Sequence, residues 1–304
     1  MKRPLSSHRL VVIVLFCSAL GFSDRLSPPA AAAGRFYVDL TSAANTALQD
    51  DGIIGNAEGG WSDEGVNDMF IYPPVEFGEI ERNGYHFRLI DPAENDGRAV
   101  IMLYGRRLTI PRPESVSVDV PRAQGRYVYF LHNQVLSVSS APKNYRVATY
   151  TVTYGDGTEE KIPILNEKDI RHWWTGAWYI NSGAGAWPFF MGRSYSSMKW
   201  RQWIGVWAKQ WENPHPGKPI TSINFHSEAK AAPVIFAVTI TDENYYGSDS
   251  YKKDYKRPPA PPTDYFAEHV ALRNRQLFKE MVKRGFATGV RGVQLIRSDV
   301  LGEI

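Results

Sequence analysis

Apolar and polar residues alternate along most of the chain between residues 36 and 241. RFYVDL (35–40), YHFRLI (85–90) and SVSVDV (115–120) place apolar side chains at every second position, the period of a strand with one buried face. RAVIMLY (98–104) and RYVYFLH (126–132) are short unbroken apolar or aromatic runs, which predicts strands covered on both faces. The spacer DPAENDG (91–97) carries turn chemistry: Asn and Asp tolerate left-handed backbone, and Gly97 prefers it. YRVATYTVTYGDGTEEKIPIL (145–165) predicts a hairpin turning at Gly155, Asp156 and Gly157. ITSINFHS (220–227) and APVIFAVTIT (232–241) complete a set of eight or more short strands. This pattern predicts an all-β fold, an antiparallel β-sandwich or jelly roll, over residues 36–241.

WRQWIGVWAKQWENPHP (200–216) carries four of the nine tryptophans and is ambiguous. Trp200, Trp203, Trp207 and Trp211 share a helical stripe, while Trp203, Trp207 and Trp211 share one face of a strand. Gly205 in mid-run, Ile204, Val206 and the proline-rich stop at its end favour the strand. Either the indoles or the Ile204–Val206–Ala208 face then turns to the core, and the spacing does not choose.

Beyond Thr241 the pattern changes. Residues 242–263 are polar, tyrosine-rich and proline-rich, which predicts a linker or a strap over the surface. Residues 264–304 form a helical segment. Thr263 or Asp264 caps it, Phe266, Val270, Leu277 and Met281 make an apolar stripe, and Gly285 ends the helix. Such a helix needs a docking surface, on the sandwich or on a protein partner.

The first 33 residues read as a signal peptide. Lys2, Arg3 and Arg9 precede an apolar stretch of 13 residues, Leu10–Phe22, and small residues continue as far as Ala33. A membrane-spanning helix needs about 20 apolar residues, so no span is expected once the signal is cleaved. The expectation is a secreted, periplasmic or extracellular protein of bacterial type. Cleavage also changes the charge. Four of the 35 basic residues and one of the 32 acidic residues leave, which makes 31 of each. That neutral balance gives no footprint for nucleic acid. The single cysteine, Cys17, leaves too, so neither a disulfide nor a thiolate metal site is available.

Two loops carry candidate chemistry. GGWSDEGVNDMF (59–70) brings Asp63, Asn67 and Asp68 together, with Glu64 beside them. Calcium takes about six to eight oxygen ligands and suits such a loop, as a structural Ca2+; the alternative is a solvated loop capping its own backbone. A trace of an EF-hand at Asp242, Asn244 and Gly247 fails, because Lys253 stands where a bidentate Glu is required. HWWTGAWYINSGAGAWPFFMGRSY (172–195) carries Trp173, Trp174, Trp178 and Trp187 among glycines, with Asn181 and Arg193 nearby. Indoles offer flat apolar faces with an N–H donor, which suits a saccharide ring. The alternative is that these rings fasten the loop to the sandwich, and at least one of them is structural either way. His132 ends an apolar run and reads as a satisfied core or edge histidine. No metalloprotease, nucleophile-elbow, phosphate-loop or dinucleotide motif occurs.

GGWSDEGVNDM, FRLIDPAENDGRAVIML, YVYFLH, YTVTYGDGTEEKIPI and WENPHPGKPITSINF, in that order, resemble the galactose-binding-like β-sandwich domains. These are jelly-roll modules attached to secreted bacterial glycosidases. The resemblance spans Phe36 to Thr241. It implies a carbohydrate-binding or accessory role without catalysis, an inner strand at FLH and a hairpin turn at DGT. It departs from that pattern in one respect: the remaining segments read as a signal, a linker and one helix, not as a catalytic domain. The leading expectation is a non-catalytic carbohydrate-binding module. A structural subunit engaging a protein partner through its C-terminal helix is the alternative. A glycan-active hydrolase or lyase is the third reading, and it requires two carboxylates roughly 5–10 Å apart in one groove.

Overall fold

The computed structural model describes residues 34–48, 60–61, 75–82, 84–108, 110–135, 144–175, 186–192 and 203–245. The signal segment, the loop with Asp63, Asn67 and Asp68, and the C-terminal helix expected over 264–304 lie outside the described residues. Fourteen strands are described. In chain order they are β1 (Phe36–Tyr37), β2 (Thr46–Ala47), β3 (Gly78–Arg82), β4 (Tyr85–Leu89), β5 (Arg98–Met102), β6 (Ser115–Ala123) and β7 (Tyr127–Val135). Then come β8 (Arg146–Tyr154), β9 (Glu159–Leu165), β10 (Trp174–Thr175), β11 (Ala186–Gly192), β12 (Trp203–Glu212), β13 (Ile220–Ser227) and β14 (Ala232–Thr241). Pro92–Glu94 is a 3-10 turn, and no helix among the described residues is long and apolar enough to cross a membrane.

All-β architecture is therefore established, and the strands pair antiparallel throughout. The large sheet runs β10-β12-β7-β14-β5-β2, with β1 also on β14 and β11 also on β12. A second sheet runs β6-β13-β8-β9, and β3 pairs with β4 as a hairpin. Phe130 and Ile235 of the large sheet share one apolar cluster with Tyr150, Ile164, Ile223 and Phe225 of the second. Each such side chain, fully buried, contributes roughly 1.5–3 kcal/mol relative to exposure.

The large sheet is covered on its other face as well. Tyr129, Leu131, Val206 and Phe236 join a second cluster with Tyr85 and Phe87 of β4, Trp61 and Phe189. This explains why RYVYFLH lacks a polar face. All nine residues of β7 are buried, with Val128 and Phe130 in one core and Tyr127, Tyr129 and Leu131 in the other. In β14 a bulge between Ile235 and Ala237 swaps the parity. Val234 and Phe236 face the second core, whereas Val238 and Ile240 beyond the bulge face the first.

The tryptophan stretch resolves in the same way. Residues 203–212 are a strand, and Trp207 is 0% exposed. Trp211 packs on the intersheet core, while Ile204, Val206 and Ala208 belong to the second. Both faces are covered, so neither alternative left by the spacing leaves the indole face open at Trp207. The strand is followed by Asn213, whose Nδ2 donates to the Gly125 carbonyl (2.9 Å) and whose Oδ1 accepts from His215 N–H (2.9 Å).

The strap expected after Thr241 begins as part of the domain. Asp242 Oδ1 accepts from Arg126 N–H (2.9 Å), and Tyr245 stacks on Tyr129 with centroids 4.3 Å apart.

Candidate binding site

Residues 166–175, the root of the tryptophan-rich segment, have almost no sheet ladder of their own. The β8–β9 hairpin delivers the chain to Leu165. There a tight turn forms, with Asp169 N–H donating to the Leu165 carbonyl (2.9 Å) and Leu165 N–H donating to Asp169 Oδ2 (3.0 Å). Glu167 takes φ 62°, the left-handed region, inside that turn.

From this turn onward the chain is tied to β7 and β12 by buried polar groups. Asp169 Oδ1 accepts from Lys209 Nζ at 2.7 Å, with side-chain exposures of 4% and 11%. The Asp169 carbonyl lies 2.8 Å from His132 Nε2. A carbonyl can only accept, so the proton sits on Nε2, and Nδ1 accepts from the Tyr150 hydroxyl at 2.9 Å. His132 is wholly buried. Desolvation, with the Lys209 ammonium adding to it, lowers its pKa to about 4. Burial pushes the Tyr150 hydroxyl well up, so it donates at every ordinary pH.

Two backbone bonds continue the attachment: Gln134 N–H to the Arg171 carbonyl and Trp173 N–H to the Gln134 carbonyl, both 2.9 Å. Gly205 N–H then donates to the Trp173 carbonyl (2.8 Å). The Gln134 amide donates to Asn166 Oδ1, and the Arg171 guanidinium sits over the Trp207 ring at 5.5 Å. His172 Nδ1 accepts from Trp174 N–H (3.0 Å), and burial lowers that imidazole's pKa to about 4 as well.

This root places the first two candidate tryptophans differently. Trp173 is 2% exposed and packs on Trp61, with centroids 5.2 Å apart. Its ring belongs to the second core. Trp174 is half-buried, stands edge-on to Trp173 at 5.6 Å, and pairs with Ile204 of β12. Trp187 lies on β11 opposite Ala208; its side chain lies outside what is described. Trp178, Asn181 and Arg193 lie outside the described residues. Both ends of the segment between β10 and β11 therefore pair with β12.

Sequence reasoning took His132 as a satisfied core histidine, which it is. It missed Asp169, Lys209 and Gln134. One signal was available: Lys209 shares strand parity with Trp207 and Trp211, and a lysine on an inward face needs a carboxylate partner.

No protein-family model matches the chain, and no curated protein does. Among solved structures, it shows similarity to the CBM22-1–GH10 modules of Clostridium thermocellum endo-1,4-β-D-xylanase 10B, crystallised with xylohexaose. Identity is 10% over 52% of this chain, the TM-score is 0.24, and the match spans 25% of the xylanase chain. A likeness of that size carries no argument about function.

Proposed function

We propose that this protein is a secreted, non-catalytic carbohydrate-binding module built on a jelly-roll, galactose-binding-like β-sandwich. Trp174, Trp178, Trp187, Asn181 and Arg193 form the sugar-binding surface, and Trp173 anchors it. The observation that carries this reading is the root of the loop. A buried ion pair, Asp169–Lys209, and a buried imidazole, His132, fix the nine residues 166–174, which end in a half-buried indole. Burying charge carries a desolvation penalty and is weak as a source of stability, so its use here fits preorganisation of the tryptophan-rich loop beyond it. A fixed indole stacks on a sugar ring with little rotamer entropy to lose. Asp39, in the cleft beside β1, does not suit the part of a general acid. Its hydrogen bonds to Thr41 hold it below the ordinary carboxylate range, opposite to what a general acid needs.

Affinity electrophoresis in soluble polysaccharides tests the assignment. The wild type is expected to be retarded, and a Trp174→Ala, Trp178→Ala double variant to run freely while keeping its urea midpoint. Equal retardation of the two would remove the site.

A further inference from the structure

The large sheet bears a cleft on the side of β14 away from the tryptophan root. The chain from β1 to Thr41 and the β4–β5 turn enclose a cleft of about 360 Å³. That is within the range of small-molecule pockets, roughly 300–1,000 Å³. Tyr37, Asp39, Arg88, Asp91, Glu94 and Asn95 are among the residues that line it.

Its walls are braced to each other. Asn95 Nδ2 donates to the Thr41 carbonyl and to the Arg98 carbonyl, both at 3.0 Å. Thr41 N–H donates to Asp39 Oδ1 (2.9 Å), and Ala93 N–H to Asp91 Oδ1 (2.9 Å). The Thr41 bonds favour the charged form of Asp39 and hold its pKa below the ordinary carboxylate value. By contrast, neither the Arg88 nor the Glu94 side chain makes a hydrogen bond or ion pair to any described residue. The cleft thus offers a fixed acceptor at Asp39, a second acceptor at Glu94, an uncommitted guanidinium fork and a half-buried tyrosine ring.

We propose that this cleft is a second saccharide site, for an uncharged sugar presenting adjacent hydroxyls. The proposal rests on the carbohydrate-binding reading and adds a subsite to it. Neighbouring hydroxyls both donate and accept. They match the Glu94 carboxylate, which can take two O–H donors, the acceptor capacity that Thr41 leaves on Asp39, and a guanidinium that gives two parallel N–H bonds. Tyr37 supplies a flat apolar face for the ring carbons. Charge selects against the alternatives. Three carboxylates, Asp39, Asp91 and Glu94, face one cation, Arg88, so a phosphate or uronate is repelled. A calcium ion is also disfavoured, since Asp39 and Asp91 each commit an oxygen to a backbone N–H and Arg88 adds positive charge.

Amide NMR of the full chain, titrated with D-galactose, D-glucose, D-xylose and D-galacturonate, tests this. At least one neutral sugar is expected to shift the amides of Thr41, Arg88 and Asn95, with galacturonate weaker. Arg88→Ala is expected to weaken that binding roughly tenfold, the loss of one charge-assisted hydrogen bond. Asp39→Asn keeps the turn acceptor and weakens it less. Unchanged affinity in both variants, a preference for galacturonate, or shifts produced by calcium chloride alone would each overturn the proposal. Sugar-induced shifts confined to Trp174 and its neighbours would overturn the cleft and leave the module reading standing. No shift at either place with any sugar or with the polysaccharides above would remove both.

Discussion

The β8–β9 hairpin and the segment immediately after it, residues 166–175, are adjacent in sequence and are specified in opposite ways. The turn of the hairpin is closed by its own residues, and its distant contacts, Asp156 to Lys218 and Gly155 N–H to the Pro219 carbonyl, add to a turn already made. Tyr154 N–H donates to the Thr158 carbonyl (2.9 Å), Asp156 Oδ1 accepts from Thr158 N–H (3.0 Å), and Gly157 takes φ 83°. Its ion pair, Asp156–Lys218 at 2.7 Å, is open to solvent. Residues 166–175 depend on distant partners. Asp169 reaches Lys209, 40 residues away, and its carbonyl meets His132, 37 residues away. Short-range chemistry suffices to turn a chain. Holding a segment without a ladder of its own against a sheet draws on long-range polar contacts that water cannot replace.

The contrast between the two regions breaks first at Asp169. Asp169→Ala leaves the Lys209 ammonium buried without its counter-charge, and the expected loss is about 3–5 kcal/mol by urea denaturation. A double change, Asp169→Leu with Lys209→Met, is expected to recover most of it, because the desolvation penalty leaves with the charges. If Asp169→Ala behaved like a surface substitution, the ion pair would not be what fixes the root.

The next largest effect is a pH dependence confined to the same region. His132 lies against Tyr150, Asp169 and Lys209, and its pKa is about 4 when folded, against 6.5 for the unperturbed ring. The unfolded chain takes up this proton as pH falls below about 6.5, and the folded chain does not until about 4. Stability from this group is complete above the upper value and is lost through that window, by roughly 3 kcal/mol in total. Urea midpoints measured from pH 7 to pH 4 should fall, and His132→Gln should reduce the slope, leaving the share of His172, whose pKa is also lowered to about 4. An equal slope in the variant would assign the acid sensitivity elsewhere.

Legibility in the sequence divides along the same line. The hairpin was legible because Gly, Asp and Gly between β-branched runs is a turn signal in itself. β7 was legible as a doubly covered strand because an unbroken apolar run has no wet face. β12 was harder for the same reason: with Trp207 buried on one side and Ile204, Val206 and Ala208 on the other, no amphipathic period remains to separate helix from strand. The aromatic loop was visible as composition, but Trp173 and Trp174 are consecutive tryptophans, and nothing in the letters says which ring meets the core. The polar cleft was invisible. Its walls are 54 residues apart at the Asn95–Thr41 bond, and neither wall carries a motif.

The smallest effect is expected at Gly157, which tests the local half of the contrast. Its φ of 83° is left-handed backbone, and no atom lies within 4 Å of a Cβ built there. Substitution by alanine therefore meets no neighbour. The cost is the left-handed conformation itself, about 1 kcal/mol, and Gly157→Asn should cost less, because an Asn side chain bonds its own backbone there. Neither variant should alter the slope of stability against pH, because the turn does not touch His132. A loss at Gly157→Ala as large as that at Asp169→Ala would mean that the hairpin holds the root in place, and that the two regions act as one unit.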